Sequence, residues 1–241
     1  MSCYGPLARW YDALTGDVPY SEFQKYYESV FSSASGEFHL LLDLCCGTGT
    51  LTRMLSSAGY EMIGADASED MLSVAMQKSS EEGLSPLFLC QSAEELDLFG
   101  TVDAAYSSLD SVNYIPPEVL PEVLRRLHLF IRPGGLFIFD IRSEDWLKGM
   151  DGSTFVDEED DVLCLWRADY DEEERQITYG MDLFSRKGKL WARESEAHTE
   201  YAYTVDDLTE HLSAAGFGKI RADYHGPQGD LGRIFIICER I

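Results

Sequence analysis

Residues 40–51 read LLLDLCCGTGTL. The apolar run is broken by Gly47 and Gly49 and resumes at helical spacing through Leu51, Met54 and Leu55 as far as Gly59, which predicts strand, glycine turn and helix. In open α/β sheets ligands bind beyond the C-terminal strand ends, where glycine lets the backbone approach them closely. A second strand is expected over 61–65, with Asp66 at its C-terminal end and Ser68 placed to cap a helix over 69–80. A carboxylate at that position accepts hydrogen bonds from both hydroxyls of an adenosine ribose. The turn alone leaves the ligand open. No lysine stands near it, so the phosphate-binding pattern GxxxxGK[ST] is excluded, and Thr52 stands where GxGxxG needs glycine. A variant NAD turn stays compatible, and GTG is also a common tight turn.

Working outward, apolar and aromatic residues at Phe23, Tyr26, Tyr27, Val30 and Phe31 predict a helix over 20–33. Further strands are expected at 86–90, 104–108 and 136–141, the last after a Pro133-Gly134-Gly135 turn, with an amphipathic helix over 118–131. This alternation implies a parallel sheet covered on both faces. From residue 162 three extended runs, VLCLWRADYD, RQITYGMDLFSR and KLWARESEAHTEYAY, predict an antiparallel meander. The acidic stretch 157–161 before it is expected to be a solvated connection, because adjacent carboxylates repel unless a cation binds; no metal site is expected. A helix over 204–215 should start with a Thr204/Asp207 capping box and stop at Gly216, and runs near 219–224 and 233–239 should form a hairpin at one sheet edge.

The chain has 241 residues, 45% hydrophobic and 12% aromatic, enough for one full core with a modest insertion. Its 43 acidic against 19 basic side chains give a formal charge of −24, which repels phosphate backbones and anionic membranes. Nucleic acid is therefore not an expected partner, and a cationic or amine substrate is weakly favoured over a merely solvated acidic surface. No apolar stretch is long enough to span a membrane and MSCYGPLARWYD lacks the layout of a signal peptide, so a cytoplasmic protein without a membrane partner is expected. The six cysteines, at 3, 45, 46, 90, 164 and 238, show no zinc or disulfide spacing. Cys45, Cys46, Cys90 and Cys238 are expected as small core residues. No apolar stripe is left over for a subunit interface, which leaves the oligomeric state open.

In order and spacing, LLDLCCGTGTLTRML, MIGADASEDML, LCQSAEELDL, VDAAYSSLDSVNYI and RPGGLFIFDI closely resemble the successive motifs of class I S-adenosylmethionine-dependent methyltransferases. The resemblance is good over residues 4–141. It implies an α/β, Rossmann-like, mostly parallel seven-stranded sheet with helices on both faces and a small antiparallel β insertion after the fifth strand. Residues 1–150 and 204–241 would form the main domain, with an N-terminal flap, and 151–203 a roof over the substrate site. The cofactor implied is S-adenosylmethionine. Carried over residue by residue, Asp43, Cys45, Gly47 and Gly49 belong to the turn holding its methionine part, Asp66 and Ala67 to the ribose site, and Gln91, Ser92 and Ala93 to the adenine site. Cys45 replaces the first glycine of the family's DxGxGxG, and Ser92 replaces an adenine-binding aspartate, keeping only a hydroxyl. Met71 is placed to pack on the adenine face or in the core. The phrases YGPLARWYDAL and SSLDSVNYI resemble those of bacterial small-molecule methyltransferases and, more distantly, of glycine and amino-sugar N-methyltransferases.

The implied reaction is methyl transfer to a small molecule by in-line displacement, whose main need is alignment rather than a protein nucleophile. Tyr4 and Tyr11 match flap positions over the cofactor, serving either the site or the core. Leu109, Asp110, Asn113 and Tyr114 lie on the loop expected to face the methyl group, Asp110 being equally suited to cap the next turn. His198 is a candidate base, weighed against an exposed strand histidine. Trp166, Tyr179, Tyr201 and Tyr203 either shape an aromatic pocket or simply fill a buried face. The alternatives are an NAD-dependent oxidoreductase and a non-catalytic cofactor-binding module.

Overall fold

The structure is a computed structural model that describes residues 5–227 and 232–241. Its main sheet has seven strands in the order β10-β11-β5-β4-β1-β2-β3. These are β1 (Leu40–Leu44), β2 (Glu61–Asp66), β3 (Leu87–Cys90), β4 (Val102–Ser107), β5 (Ile131–Arg142), β10 (Phe217–Asp223) and β11 (Arg233–Arg240). All are parallel except β11, which runs antiparallel between β5 and β10. The chain winds one way through β1, β2 and β3 and the other way through β4 and β5, so the switch point lies between the C-terminal ends of β1 and β4.

Period-two alternation assigns each side chain to a face. Leu41, Ala104, Tyr106, Ile138 and Phe235 pack under α2 (Tyr20–Ser33) and α3 (Thr50–Ser57). Leu42, Leu44, Ala105, Phe137 and Ile236 pack under α5 (Leu120–Phe130) and α7 (Val205–Ala215) on the other side. Strands buried on both faces need near-continuous apolar sequence, which is why β1 and β5 read as they do. Between β4 and β5 the register shifts so that Pro133 to Gly135 bulge out of a single long strand, where a turn before the strand was expected. Cys90 differs from expectation as well: β3 is an edge strand, and the thiol at its end is exposed rather than buried.

A second sheet, β6-β7-β8-β9, consists of β6 (Thr154–Glu159), β7 (Val162–Asp171), β8 (Gln176–Lys187) and β9 (Leu190–Tyr201), all antiparallel. It has four strands, not three. Of the acidic stretch 157–161 expected as a connection, Asp160 and Asp161 form the turn, while 157–159 end the outer strand β6, whose residues are all exposed and whose backbone pairs with β7. The inner face of this sheet covers the short helix α1 (Tyr11–Leu14) with Val162, Cys164, Met181 and Leu183, and α6 (Glu144–Gly149) with Ala168 and Ile177. No helix among the described residues is long and apolar enough to cross a membrane.

Local signals hold at the helix starts. Ser68 accepts from the Met71 amide to cap α4 (Glu69–Glu81), and Thr204 and Asp207 form both bonds of a capping box on α7. Replacing Thr204 by Ala should cost about 1 kcal/mol of stability, measured as a shift in the urea midpoint at unchanged slope.

Candidate active site

The turn after β1 is shaped by backbone conformations that side chains resist. Cys45, Gly47 and Gly49 have φ of +59°, +54° and +70°. A Cβ on Gly49 would sit 3.1 Å from Ala75 and 3.2 Å from Phe88, so this glycine lets α3 close onto α4 and β3. A Cβ on Gly47 would meet nothing within 4 Å, leaving open space in front of the backbone. Asp66 ties the turn to the second strand: its carboxylate accepts from the amides of Gly47 and Ser68, both at 2.8 Å. Burial raises its pKa, and these amide bonds oppose the rise.

Behind the turn, Asp43 is buried and accepts from the Thr52 hydroxyl at 2.5 Å, with burial pushing its pKa up to about 7. In front of it, Asp12 of α1 accepts from the Thr48 hydroxyl at 2.5 Å and pairs with Lys78. The N-terminal segment is thereby clasped over the turn.

A cavity of about 590 Å³ opens at the switch point. One side is lined by Cys45, Gly47, Asp66, Ala67, Met71 and Gln91 to Glu94. The other is lined by Tyr11, Leu109, Ser111, Tyr114 and residues 197, 198, 199 and 201 of β9. Most of the residues singled out from sequence therefore converge on one space. Gly49 packs behind it, and Asp43 lines a smaller adjoining recess with Tyr11 and Gly47. Tyr4 lies outside the described residues.

Three expectations change. Asp110 is neither a cap nor a cavity residue: it takes the N-cap position of the short 3-10 turn Ser111–Tyr114 without a side-chain cap bond, and its carboxylate pairs with Arg233 at 2.7 Å. Asn113 is fully buried, donating to the Tyr201 carbonyl and accepting from the Arg142 amide, so it fastens β9 to β5. His198 is 2% exposed, not a surface histidine, and burial lowers its pKa, so the ring is neutral at pH 7. It lies between the rings of Tyr114 and Trp166, 6.3 and 6.1 Å away, with Glu196 at 3.2 Å from Nε2. Of the other aromatics, Tyr201 lines the cavity while Tyr203 donates to the Ile115 carbonyl in the core.

Sequence reading missed Asp140, Arg233 and Glu200. Asp140 is fully buried at the C-terminal end of β5, pairs with Arg233, and accepts from the amides of Leu109 and Asp110 at 3.0 and 2.9 Å. Those two residues have φ of +57° and +56°, a left-handed pair that these bonds help hold beside the cavity. A lone carboxylate closing the apolar run LFIF was the available signal. Replacing Asp140 by Asn should cost about 3 kcal/mol in chemical denaturation, since Arg233 loses its buried carboxylate partner and one amide loses its acceptor.

Residues 41–135 match a family model described as a methyltransferase domain. YqeM of Bacillus subtilis strain 168, which bears a methyltransferase name, is 30% identical over 245 residues, covering 98% of this chain and 97% of that protein. The crystal structure of an S-adenosylmethionine-dependent methyltransferase from Clostridium acetobutylicum matches with a TM-score of 0.85 at 27% identity, covering 99% of each chain. CalS10 of Micromonospora echinaspora, an amino pentose methyltransferase solved with S-adenosylmethionine bound, shares the fold at a TM-score of 0.76 and 17% identity, covering 96% of each chain. With its glycine turn, the Asp66 carboxylate beside it and a cavity at the switch point, the chain belongs to the class I S-adenosylmethionine-dependent methyltransferases.

Proposed function

We propose that this enzyme methylates a small molecule by in-line displacement, with the cofactor in the Rossmann half of the cavity and the acceptor beneath β9. The observation that carries this reading is the continuity of one 590 Å³ space from Asp66 and Gln91 to His198 and Tyr201. That is the size of a small-molecule site, and a chain of charge −24 repels nucleic acid. The sugar N-methyltransferase KedS8 and CalS10 share the fold, which is compatible with a small acceptor.

In this reading Asp66 receives the ribose hydroxyls, Ala67 and residues 91–93 frame the adenine with Met71 against it, and Cys45 and Gly47 admit the methionine part. Asp43 and Gly49 act behind them, by holding the turn. S-adenosylmethionine supplies a methyl group made electrophilic by its sulfonium. The protein's task is to align an acceptor lone pair with that group and keep water out. Segment 151–203 would be the roof that does so, and Leu109, Tyr11, Tyr114 and His198 the groups facing the acceptor. Asp110, whose carboxylate is engaged by Arg233, is not assigned to the acceptor in this reading.

Incubation with methyl-labelled cofactor and a cell extract should place the label in the low-molecular-weight fraction; label confined to protein or RNA would overturn the proposal. Asp66→Ala should weaken S-adenosylhomocysteine binding by about 1.5–3 kcal/mol, roughly ten- to hundredfold, in calorimetry, while NAD gives no comparable heat.

A further inference from the structure

On β9, Glu196, His198 and Glu200 share one face, in register with Met181, Tyr179 and Ile177 of β8. Glu200 is 4% exposed, yet its Oε2 has no hydrogen-bond donor among the described residues. A carboxylate withdrawn from water without a full set of donors is costly, so its retention calls for a reason. His198, two positions earlier on the same face, lines the cavity, and so does Tyr114, whose hydroxyl donates toward Glu200. Other charges reach it from three elements: Asp110 after β4, Arg142 at the end of β5 and Arg233 at the start of β11. Both arginines also serve Asp110, and Arg142 stacks on the Trp146 ring at 4.2 Å. Burial and the Asp110 charge outweigh them and push the Glu200 carboxyl up to about 8.

A buried acid beside the hydroxyl groups of Tyr114 and Tyr179 is suited to an ammonium group, which brings both donors and a positive charge. An alcohol brings one donor and no charge. A carboxyl with a pKa of about 8 is also within reach of an alkylammonium, whose pKa is about 10, and far from that of an alcohol.

Building on the small-molecule reading, we propose that the methyl acceptor is an amine, bound as its ammonium by Glu200, which takes one N–H proton and so exposes the nitrogen lone pair. The proton passes to Oε2 of Glu200. The nitrogen lone pair then forms the N–C bond as the C–S bond breaks, and that bond's electron pair stays on sulfur. The products are a methylated ammonium and S-adenosylhomocysteine, and Glu200 returns its proton to water.

The test uses the full-length wild-type enzyme with methyl-labelled cofactor and a small-molecule extract, either untreated or exhaustively N-acetylated with acetic anhydride. Acetylation should reduce label transfer at least tenfold. Transfer that survives acetylation overturns the amine assignment while leaving small-molecule methylation standing; no transfer to either extract overturns both. With the amine isolated from that extract, Glu200→Gln should lower kcat/KM at least tenfold and abolish its rise toward pH 8, and Glu200→Asp should restore part of it. S-adenosylhomocysteine affinity should be unchanged, showing a folded cofactor site. In calorimetry with S-adenosylhomocysteine present, the amine should bind at least tenfold more weakly to Glu200→Gln. An unaltered pH profile and amine affinity in Glu200→Gln would overturn the role of Glu200.

Discussion

The Asp140 carboxylate is the constraint on which the cavity depends. It sits at full burial at the end of β5 and binds Arg233 of the antiparallel strand β11 on one side and the amides of Leu109 and Asp110 on the other. Burying an ion pair stabilises little in itself, because desolvation offsets the attraction. Its effect is geometric. Two consecutive residues held at positive φ cannot persist without external bonds, and it is this turn that brings Leu109, Ser111 and Tyr114 to the cavity wall.

Three further polar clasps work in the same way. Asp12 joins α1 to Thr48 and Lys78, while Arg53, buried under the glycine turn, donates to the Thr48 carbonyl and pairs with Glu82. Asn113 joins the turn after β4 to the end of β9 and the end of β5. These clasps tie different elements together, so the walls are set by polar side-chain bonds as well as by apolar packing.

Periodicity carried most of the fold. The helix over 20–33 matches α2 to the residue, because an apolar stripe at spacing 3–4 admits few alternatives, and the Ser68 and Thr204 caps are read from two positions each. The glycine turn and Asp66 were legible for the same reason: the strand before each fixes which side chain reaches its C-terminal end. What eluded the sequence is burial imposed by distant partners. His198 resembled any strand histidine until the second sheet covered its face, and Asp110 resembled a cap because Arg233 is more than a hundred positions away. Glu200 lay in plain view in the alternating run Glu196, His198, Glu200. Alternation marks a shared face but not which face is inward, and an acidic series on a strand ordinarily points to water.

The two halves of the cavity rest on different scaffolds, and this bears on how acceptor choice is encoded. Cys45, Asp66 and Gln91 follow β1, β2 and β3 at one end of the sheet, and Asp66 is bonded to the turn, so a change there disturbs it. His198 and Tyr201, on the opposite wall, stand on β9, an edge strand that pairs with β8 over twelve consecutive residues. Long regular pairing keeps the backbone of β9 in place whatever its side chains, since its ladder bonds are main-chain bonds. In the proposed reading, substitutions at 197, 199 and 201 alter shape over the acceptor while the main-chain ladder holds β9 in place, which makes this strand an element where selectivity can change.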